Sequence, residues 1–350
     1  MKILLTGVAG FIGAATAEKL LSQGHIVIGI DDVNTYYDTK LKFDRLKNLG
    51  IREKSQEWLV PAKSSEWDKF TFIRMDITDK ESISHLFAKE KFDIVVNLAA
   101  QPGVRYSIEN PGAYIENNII GFLNILEGCR YNNVKHLVFA SSSSVYGLNG
   151  KIPFSEKDPS DHPVSLYAAT KKSNEMMAHS YACVFGLPVT GLRFFTAYGP
   201  WGRPDMSPFL FIDGILNGRP IKVFNNGDMW RDFTYIDDIV ESIVKVIGHI
   251  PSSNIEWNAE RADSSSSKAP YRIYNVGNQH PTKLMDYINT IEQVIGREAE
   301  KIFLPMQPGD VYQTYADSSA LANEIGYVPK VTLKDGIKKT VDWYRSYYNI

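Results

Sequence analysis

A chain of 350 residues with 44% hydrophobic and 22% charged side chains has the composition of a folded protein with a sizeable core, in one large or two modest domains, and excludes extended disorder. Lys+Arg 38 against Asp+Glu 40 gives a net charge of -2, so no bulk attraction to nucleic acid or to an anionic membrane is built in, and an anionic ligand has to be held locally. Two cysteines without metal-ligand spacing, Cys129 and Cys183, read as reduced core residues. With no apolar run long enough to span a bilayer and an N-terminus that opens straight into a strand, they suggest a cytoplasmic protein.

The first half of the chain alternates short apolar runs with amphipathic stretches, the pattern of βαβ units around a parallel sheet. Strands are predicted at Lys2–Thr6, Ile26–Asp31, Phe70–Arg74, Ile94–Leu98, Leu137–Ser141 and Val189–Phe194, with helices at Phe11–Gln23, Lys80–Glu90, Ala113–Tyr131 and Ser165–Phe185. Right-handed crossovers make this a doubly wound, Rossmann-type α/β fold. Residues 34–68 carry Tyr36, Tyr37, Lys40, Lys42 and two tryptophans without clean periodicity, which predicts a helical or loop insertion after the second strand. After Phe195 the composition turns to Gly, Pro and Asn, so 1–195 is expected as the nucleotide-binding domain and 196–350 mainly as a smaller substrate lobe, with room for elements that return to the first. The serine-rich segment 262–270 is expected as a mobile loop, and Leu333–Tyr348 as a closing surface helix.

A strand ending at Thr6, then Gly7, Gly10 and Gly13 spaced by two residues, then the helix start Phe11-Ile12, is the context a dinucleotide loop requires. The helix N-terminus faces the phosphates. Asp31, eighteen residues beyond Gly13, can accept from a ribose hydroxyl and repels a 2′-phosphate, favouring NAD over NADP; Asp32 stands beside it. Asp76-Ile77 either contacts adenine or caps the next helix, and Leu98-Ala99-Ala100 places small residues where a cofactor passes. Downstream, Tyr167 and Lys171 lie four positions apart, on one face if helical. A free phenol titrates near ~10, so a nearby cation, either Lys171 or an oxidised nicotinamide, has to lower it for base catalysis. The seven histidines show no metal spacing, and no metal site is expected.

The glycine loop, Asn97-Leu98-Ala99-Ala100, the run Ser141 to Gly147 and Tyr167 to Lys171 resemble the extended short-chain dehydrogenase/reductase superfamily, nucleotide-sugar branch. Gln101 to Ser107, Leu192 to Met206 and Met306 to Asp310 are similar to the UDP-glucuronate 4-epimerases. The resemblance implies tightly held NAD, regenerated at each turnover, and a UDP-hexuronate oxidised at C4, rotated and reduced on its other face. Tyr167 is then the base, Lys171 the residue that holds the nicotinamide ribose and keeps Tyr167 acidic, and Ser142 the hydroxyl that bonds the reacting oxygen. Arg105, Ser143, Gln307 and Asp310 fall among the implied substrate contacts, with Arg231 as the diphosphate clamp, whose bland alternative is a salt bridge to Asp232 or Asp237. Ser144, Thr196 and Arg203 are candidates to grip the uronate carboxylate. Ser143 and Ser144 stand where dehydratases and decarboxylases of this fold usually carry an acidic residue, which favours epimerisation. UDP-glucose or UDP-N-acetylglucosamine remain alternative substrates, and a non-catalytic NAD-binding protein is the alternative of another class. The helices 113–131 and 165–185 are implied as a homodimer interface.

Overall fold

The structure is a computed structural model and describes residues 1–261 and 263–350. Its main sheet is built from β1 (Lys2–Thr6), β2 (Ile26–Asp31), β3 (Pro61–Lys63), β4 (Phe70–Arg74), β5 (Ile94–Asn97), β6 (His136–Ser142) and β7 (Val189–Phe194). After the short β8 (Thr196–Tyr198), β9 (Ile221–Val223) and β10 (Trp230–Tyr235), the chain returns to that sheet as β11 (Tyr271–Val276). The strand order is β11-β7-β6-β5-β1-β2-β4-β3, parallel except for β3. The order reverses between β1 and β5, which opens a crevice beyond the carboxyl ends of those two strands. Two smaller sheets, β8 with β10 and β12 (Pro281–Lys283), and β9 with β13 (Lys301–Phe303), frame the other side of that crevice.

Both faces of the main sheet are buried, as its continuous apolar strands require. Ile3 and Leu5 point into one core while Leu4, one residue out of phase, points into the other. The helices α1 (Phe11–Ser22), α2 (Thr39–Asn48), α3 (Lys80–Glu90), α4 (Tyr106–Glu109), α5 (Pro111–Tyr114), α6 (Phe122–Tyr131), α7 (Leu166–Phe185), α8 (Ser207–Leu216), α9 (Ile236–Ile247), α10 (Leu284–Ile295), α11 (Ser319–Ile325) and α12 (Leu333–Tyr348) cover the sheets. Helix α9 shows why: Ile236, Ile239, Val240, Ile243, Val246 and Ile247 recur at three- and four-residue spacing and are all buried, each contributing roughly 1.5–3 kcal/mol. A third core joins α8, α10 and α12 around Phe233 and Tyr287, whose rings stack at 3.9 Å.

The six predicted strands form, with ends shifted by a residue at most, and β3 and β11 are additions at the two edges. The insertion resolves into a short loop, α2 and β3. The predicted helix 113–131 is not a uniform α-helix: Ile115–Gly121 is π-helical between α5 and α6. Asn118 explains the widening. Its carbonyl accepts from Asn174 of α7, and its side chain bonds both polar groups of the Gln101 backbone and the Thr170 hydroxyl.

Two expectations are corrected. Cys129 is buried, but Cys183 is exposed on the outer face of α7. Of the segment expected to be mobile, Ala262 lies outside the described residues, while Ser265, Ser266 and Ser267 are buried against β11. The Ser265 carbonyl accepts from Ile273 at 2.8 Å and its hydroxyl donates to Asp263. Polar side chains that read as a solvated loop are satisfied internally.

Candidate active site

The crevice continues into a cavity of about 330 Å³ that gathers the glycine loop, the ends of β2, β4, β5 and β6, and the first turns of α7. A dinucleotide fits its inner half on two observations. Gly7 adopts φ +73°, and a Cβ there would sit 2.8 Å from the Ala99 nitrogen; a Cβ on Gly13 would lie 2.0 Å from the Gly7 oxygen. The loop is therefore as close to β5 and to its own helix as glycine allows, leaving the α1 N-terminus open toward the cavity that Gly10, Phe11 and Ile12 line. Thr6 holds the crevice edge, donating to Asn97 Oδ1 at 2.7 Å and accepting from the Ala99 N–H at 3.0 Å.

Asp31 closes the far end. Its carboxylate accepts from the Ala9 N–H (3.0 Å) and the Val33 N–H (2.8 Å), and burial, with Asp32 close by, raises its pKa to about 6. Asp32 turns to Asn34, accepting from both its backbone and its side chain. Asp76 lines the same cavity and accepts from the Thr78 N–H at 2.8 Å in a local turn, while the cap of α3 is Asp79, which accepts from the Ser82 N–H, so the capping alternative for Asp76 is corrected. Ile77, Leu98, Ala99 and Ala100 complete this wall.

Tyr167 and Lys171 occupy the first turns of α7, started by Ser165, whose hydroxyl accepts from the Ala168 N–H. Ser142, at the end of β6, receives the Ser144 N–H at 3.2 Å, and its hydroxyl lies on the side that favours ionisation of the Tyr167 phenol. Burial pushes the Tyr167 pKa up, opposed by Ser142 and by the charge of Arg203. Lys171 is buried and donates to the Ala140 carbonyl at 3.0 Å, and burial lowers its pKa to about 8. The cation expected to make Tyr167 acidic is Lys171 or an oxidised nicotinamide; the protein cation that opposes the upward push of burial is Arg203, without overcoming it.

Beneath these groups lies a fully buried ion pair. Arg193 of β7 donates Nε and Nη2 to the two oxygens of Glu175 at 2.8 and 2.9 Å, and Ser141 donates to Glu175 at 2.6 Å. One α7 carboxylate thus fixes β6 and β7 directly behind Ser142 and Tyr167.

Ser143, Ser144 and Thr196 line both this cavity and a second one of about 840 Å³, which reaches Arg105, Arg231, Gln307 and Asp310. Arg105 and Asp310 pair across it at 3.5 Å. Arg231 makes neither of the salt bridges that were its bland alternative. Asp232 is turned away to accept the N–H groups of Asn278, Gln279 and Ala316, Asp237 pairs with Lys339, and Arg231 donates to the Trp230 and Tyr312 carbonyls. Burial lowers its pKa. Gln307 Oε1 is buried without a hydrogen-bond partner among the described residues. Arg203, expected as a free carboxylate grip, already holds Asp205 through Nε and Nη2, and Tyr36 donates to the same carboxylate at 3.0 Å.

Residues that sequence reasoning did not single out come mainly from the insertion: Asn34, Tyr36, Tyr37 and Lys42 line the first cavity, and Asp205 the second. The signal was present in the polar and aromatic run Asn34-Thr35-Tyr36-Tyr37-Asp38, which has no core-forming period. Among the described residues no cluster of His, Cys, Asp and Glu has metal-binding geometry, and no helix is long and apolar enough to cross a membrane.

A doubly wound sheet with a glycine loop at its switch point and a Ser-Tyr-Lys set beside it defines a class, and the sequence agrees: the chain belongs to the NAD dependent epimerase/dehydratase family, whose profile matches residues 3–277. Within it, the chain is 45% identical to a "Probable UDP-glucuronate 4-epimerase" of Rhizobium meliloti, over 99% of this chain and 98% of the relative. It is 51% identical to "Protein CapI" of Staphylococcus aureus, over 99% of both. Among solved structures, UDP-glucuronic acid 4-epimerase from Bacillus cereus in complex with UDP-glucuronic acid and NAD superposes with a TM-score of 0.84 at 33% identity, covering 99% of this chain and 100% of that one.

Proposed function

We propose that the protein is an NAD-dependent UDP-glucuronate 4-epimerase. The observation that carries the reading is the convergence of Ser142, Tyr167 and Lys171 on one cavity between the glycine loop and a polar wall of Ser143, Ser144 and Thr196. Full-length similarity to relatives named for that activity supports it.

Gly7, Gly10, Gly13 and Asp31 would hold NAD, which when bound takes the hydride from the sugar C4 and returns it to the opposite face of the ketone. Tyr167 removes the proton of the 4-hydroxyl and gives it back after the ring has turned. Ser142, on the same cavity wall as Tyr167, fixes the reacting oxygen through its hydroxyl. Lys171, held by the Ala140 carbonyl, keeps two N–H donors for the nicotinamide ribose. Arg231 holds the diphosphate, Asp310 accepts from the uridine ribose, and Arg105 and Gln307 close over the nucleotide. A 4-keto uronate is a β-keto acid, so its carboxylate must stay out of alignment with the carbonyl π system. Ser143, Ser144 and Thr196 hold it through hydroxyls, together with the Nη donors of Arg203 that Asp205 leaves free.

Incubation with UDP-glucuronate, without added NAD, tests the assignment by NMR: UDP-galacturonate should form with little carbon dioxide. Conversion of UDP-glucose alone would move the substrate to neutral sugars. The same proposal includes a cytoplasmic homodimer. Its support is the exposed apolar set Ile115, Ile120, Leu123, Met176, Val184 and Phe185 on the π-helical segment, α6 and α7; a monomeric mass in solution would remove it.

A further inference from the structure

Arg45, on α2 of the insertion, is 1% exposed and makes no ion pair with any carboxylate among the described residues. Its donors go to neutral groups: Nη1 to the Ala9 carbonyl (3.0 Å) and the Tyr37 hydroxyl (2.8 Å), Nε and Nη2 to the Trp201 carbonyl (3.2 and 2.7 Å), and Nη2 also to Gly202 (3.3 Å). A buried guanidinium that has shed its water normally sits against a carboxylate or phosphate. Here no carboxylate among the described residues supplies the counter-charge, and the group lies one peptide from Gly10, the N-cap of α1. Ala9 is held from both sides, its N–H by Asp31 and its carbonyl by Arg45.

We propose that Arg45 is a positioning residue for the cofactor diphosphate: its buried positive charge, transmitted through the Ala9 peptide, is balanced only when the dinucleotide is bound, and the same guanidinium ties the glycine loop to the 201–203 loop. The insertion is then the device that retains the cofactor. Lys42 does not duplicate this role, because its ammonium is spent on Asn34 at 2.8 Å and stands by Asp31 and Asp32. The same guanidinium already holds the carbonyls of Trp201 and Gly202, next to Arg203, so the residue placed behind the diphosphate also anchors the sugar end of the site.

The inference rests on the dinucleotide reading of the glycine loop but not on the identity of the sugar. Binding of NAD to the stripped wild-type protein reports the first independently. The test is calorimetric titration of stripped Arg45→Gln and Arg45→Lys with NAD, and NMR titration with adenosine, which lacks phosphates. Gln keeps a donor for Ala9 but no charge, so R45Q should bind NAD at least tenfold more weakly, about 1.4 kcal/mol, and adenosine unchanged, while R45K stays within fivefold of wild type for NAD. Equal losses for NAD and adenosine in R45Q, or a smaller loss for NAD, overturn the proposal and leave Arg45 a purely structural rivet. If R45Q does not fold, R45K decides, since a loss of NAD affinity beyond fivefold with the charge preserved is incompatible with it.

Discussion

Replacing Glu175 by Gln removes one charge of the buried pair behind the site and keeps the shape. Burial pushes the Glu175 carboxyl up, but the Arg193 guanidinium outweighs it and holds the group below its ordinary value, so the pair is ionised at neutral pH. In E175Q the amide turns a donor toward either Arg193 or Lys172, and Arg193 is left with the Tyr146 ring at 4.7 Å and the Ser160 hydroxyl at 3.4 Å. Its Nη1 already lacks a hydrogen-bond partner among the described residues. Breaking a buried pair from one side costs about 3–5 kcal/mol, whereas replacing both partners by apolar groups of similar volume is often close to neutral. Thermal or urea unfolding should therefore show E175Q destabilised by that amount, a melting point lower by roughly 4–7 °C for a chain of this size, and Glu175→Met with Arg193→Met within about 2 kcal/mol of wild type. Turnover separates position from stability. Because Ser141 loses its anchor, the folded double variant should show lower kcat with UDP affinity unchanged. An E175Q protein within 1 kcal/mol of wild type would refute the reasoning, since an unpaired guanidinium at zero exposure cannot be that cheap.

Asp31 titrates near 6, so NAD affinity should fall as the pH drops through that value, and Asp31→Asn should bind NAD weakly and without pH dependence from 5 to 7, both read by calorimetry. The sign for the ligand-free fold is opposite: a carboxyl whose pKa is raised by folding binds its proton more tightly folded than unfolded, so the Asp31 contribution to stability grows as pH falls through 6. Tyr167→Phe should lower kcat by about 10³-fold or more while leaving UDP affinity within twofold, followed by NMR and titration. Lys171 loses its proton near 8, so kcat should decline above that pH; Lys171→Arg should displace the decline upward, and an unmoved profile would exclude Lys171 as its source. Arg203→Met should reduce kcat/KM for UDP-glucuronate at least tenfold more than for UDP-glucose, and equal losses would take Arg203 out of carboxylate recognition.

Much of the sheet was legible because parallel strands buried on both faces are continuous apolar runs, and the glycine loop because its spacing reports backbone contact with β5 and α1. β3 was illegible because three residues carry no period, and β11 because β7, distant in sequence, supplies its pairing. The π-helical turn at Asn118 follows from bonds to Gln101, Thr170 and Asn174, none of them local. In the site, residues with a defining spacing were found, and those whose meaning depends on a tertiary partner were not. Asp205 is a loop acid until Arg203 and Tyr36 fold against it, and Arg45 is one more basic residue of a polar helix until the 201–202 carbonyls close over it.

The return of β11 to the edge of the main sheet constrains how the molecule can be made. β7 pairs with β6 on one side and, residue for residue from Tyr271↔Val189 to Val276↔Phe194, with β11 on the other. During synthesis the first half therefore emerges with an apolar strand whose outer hydrogen-bonding groups wait for a segment made well after it. Such an open edge is a template for pairing between chains, and closing it is a slow, long-range event. A fragment ending near residue 195 should keep its cofactor loop and still precipitate, and a separately supplied 196–350 fragment should rescue it only by donating β11.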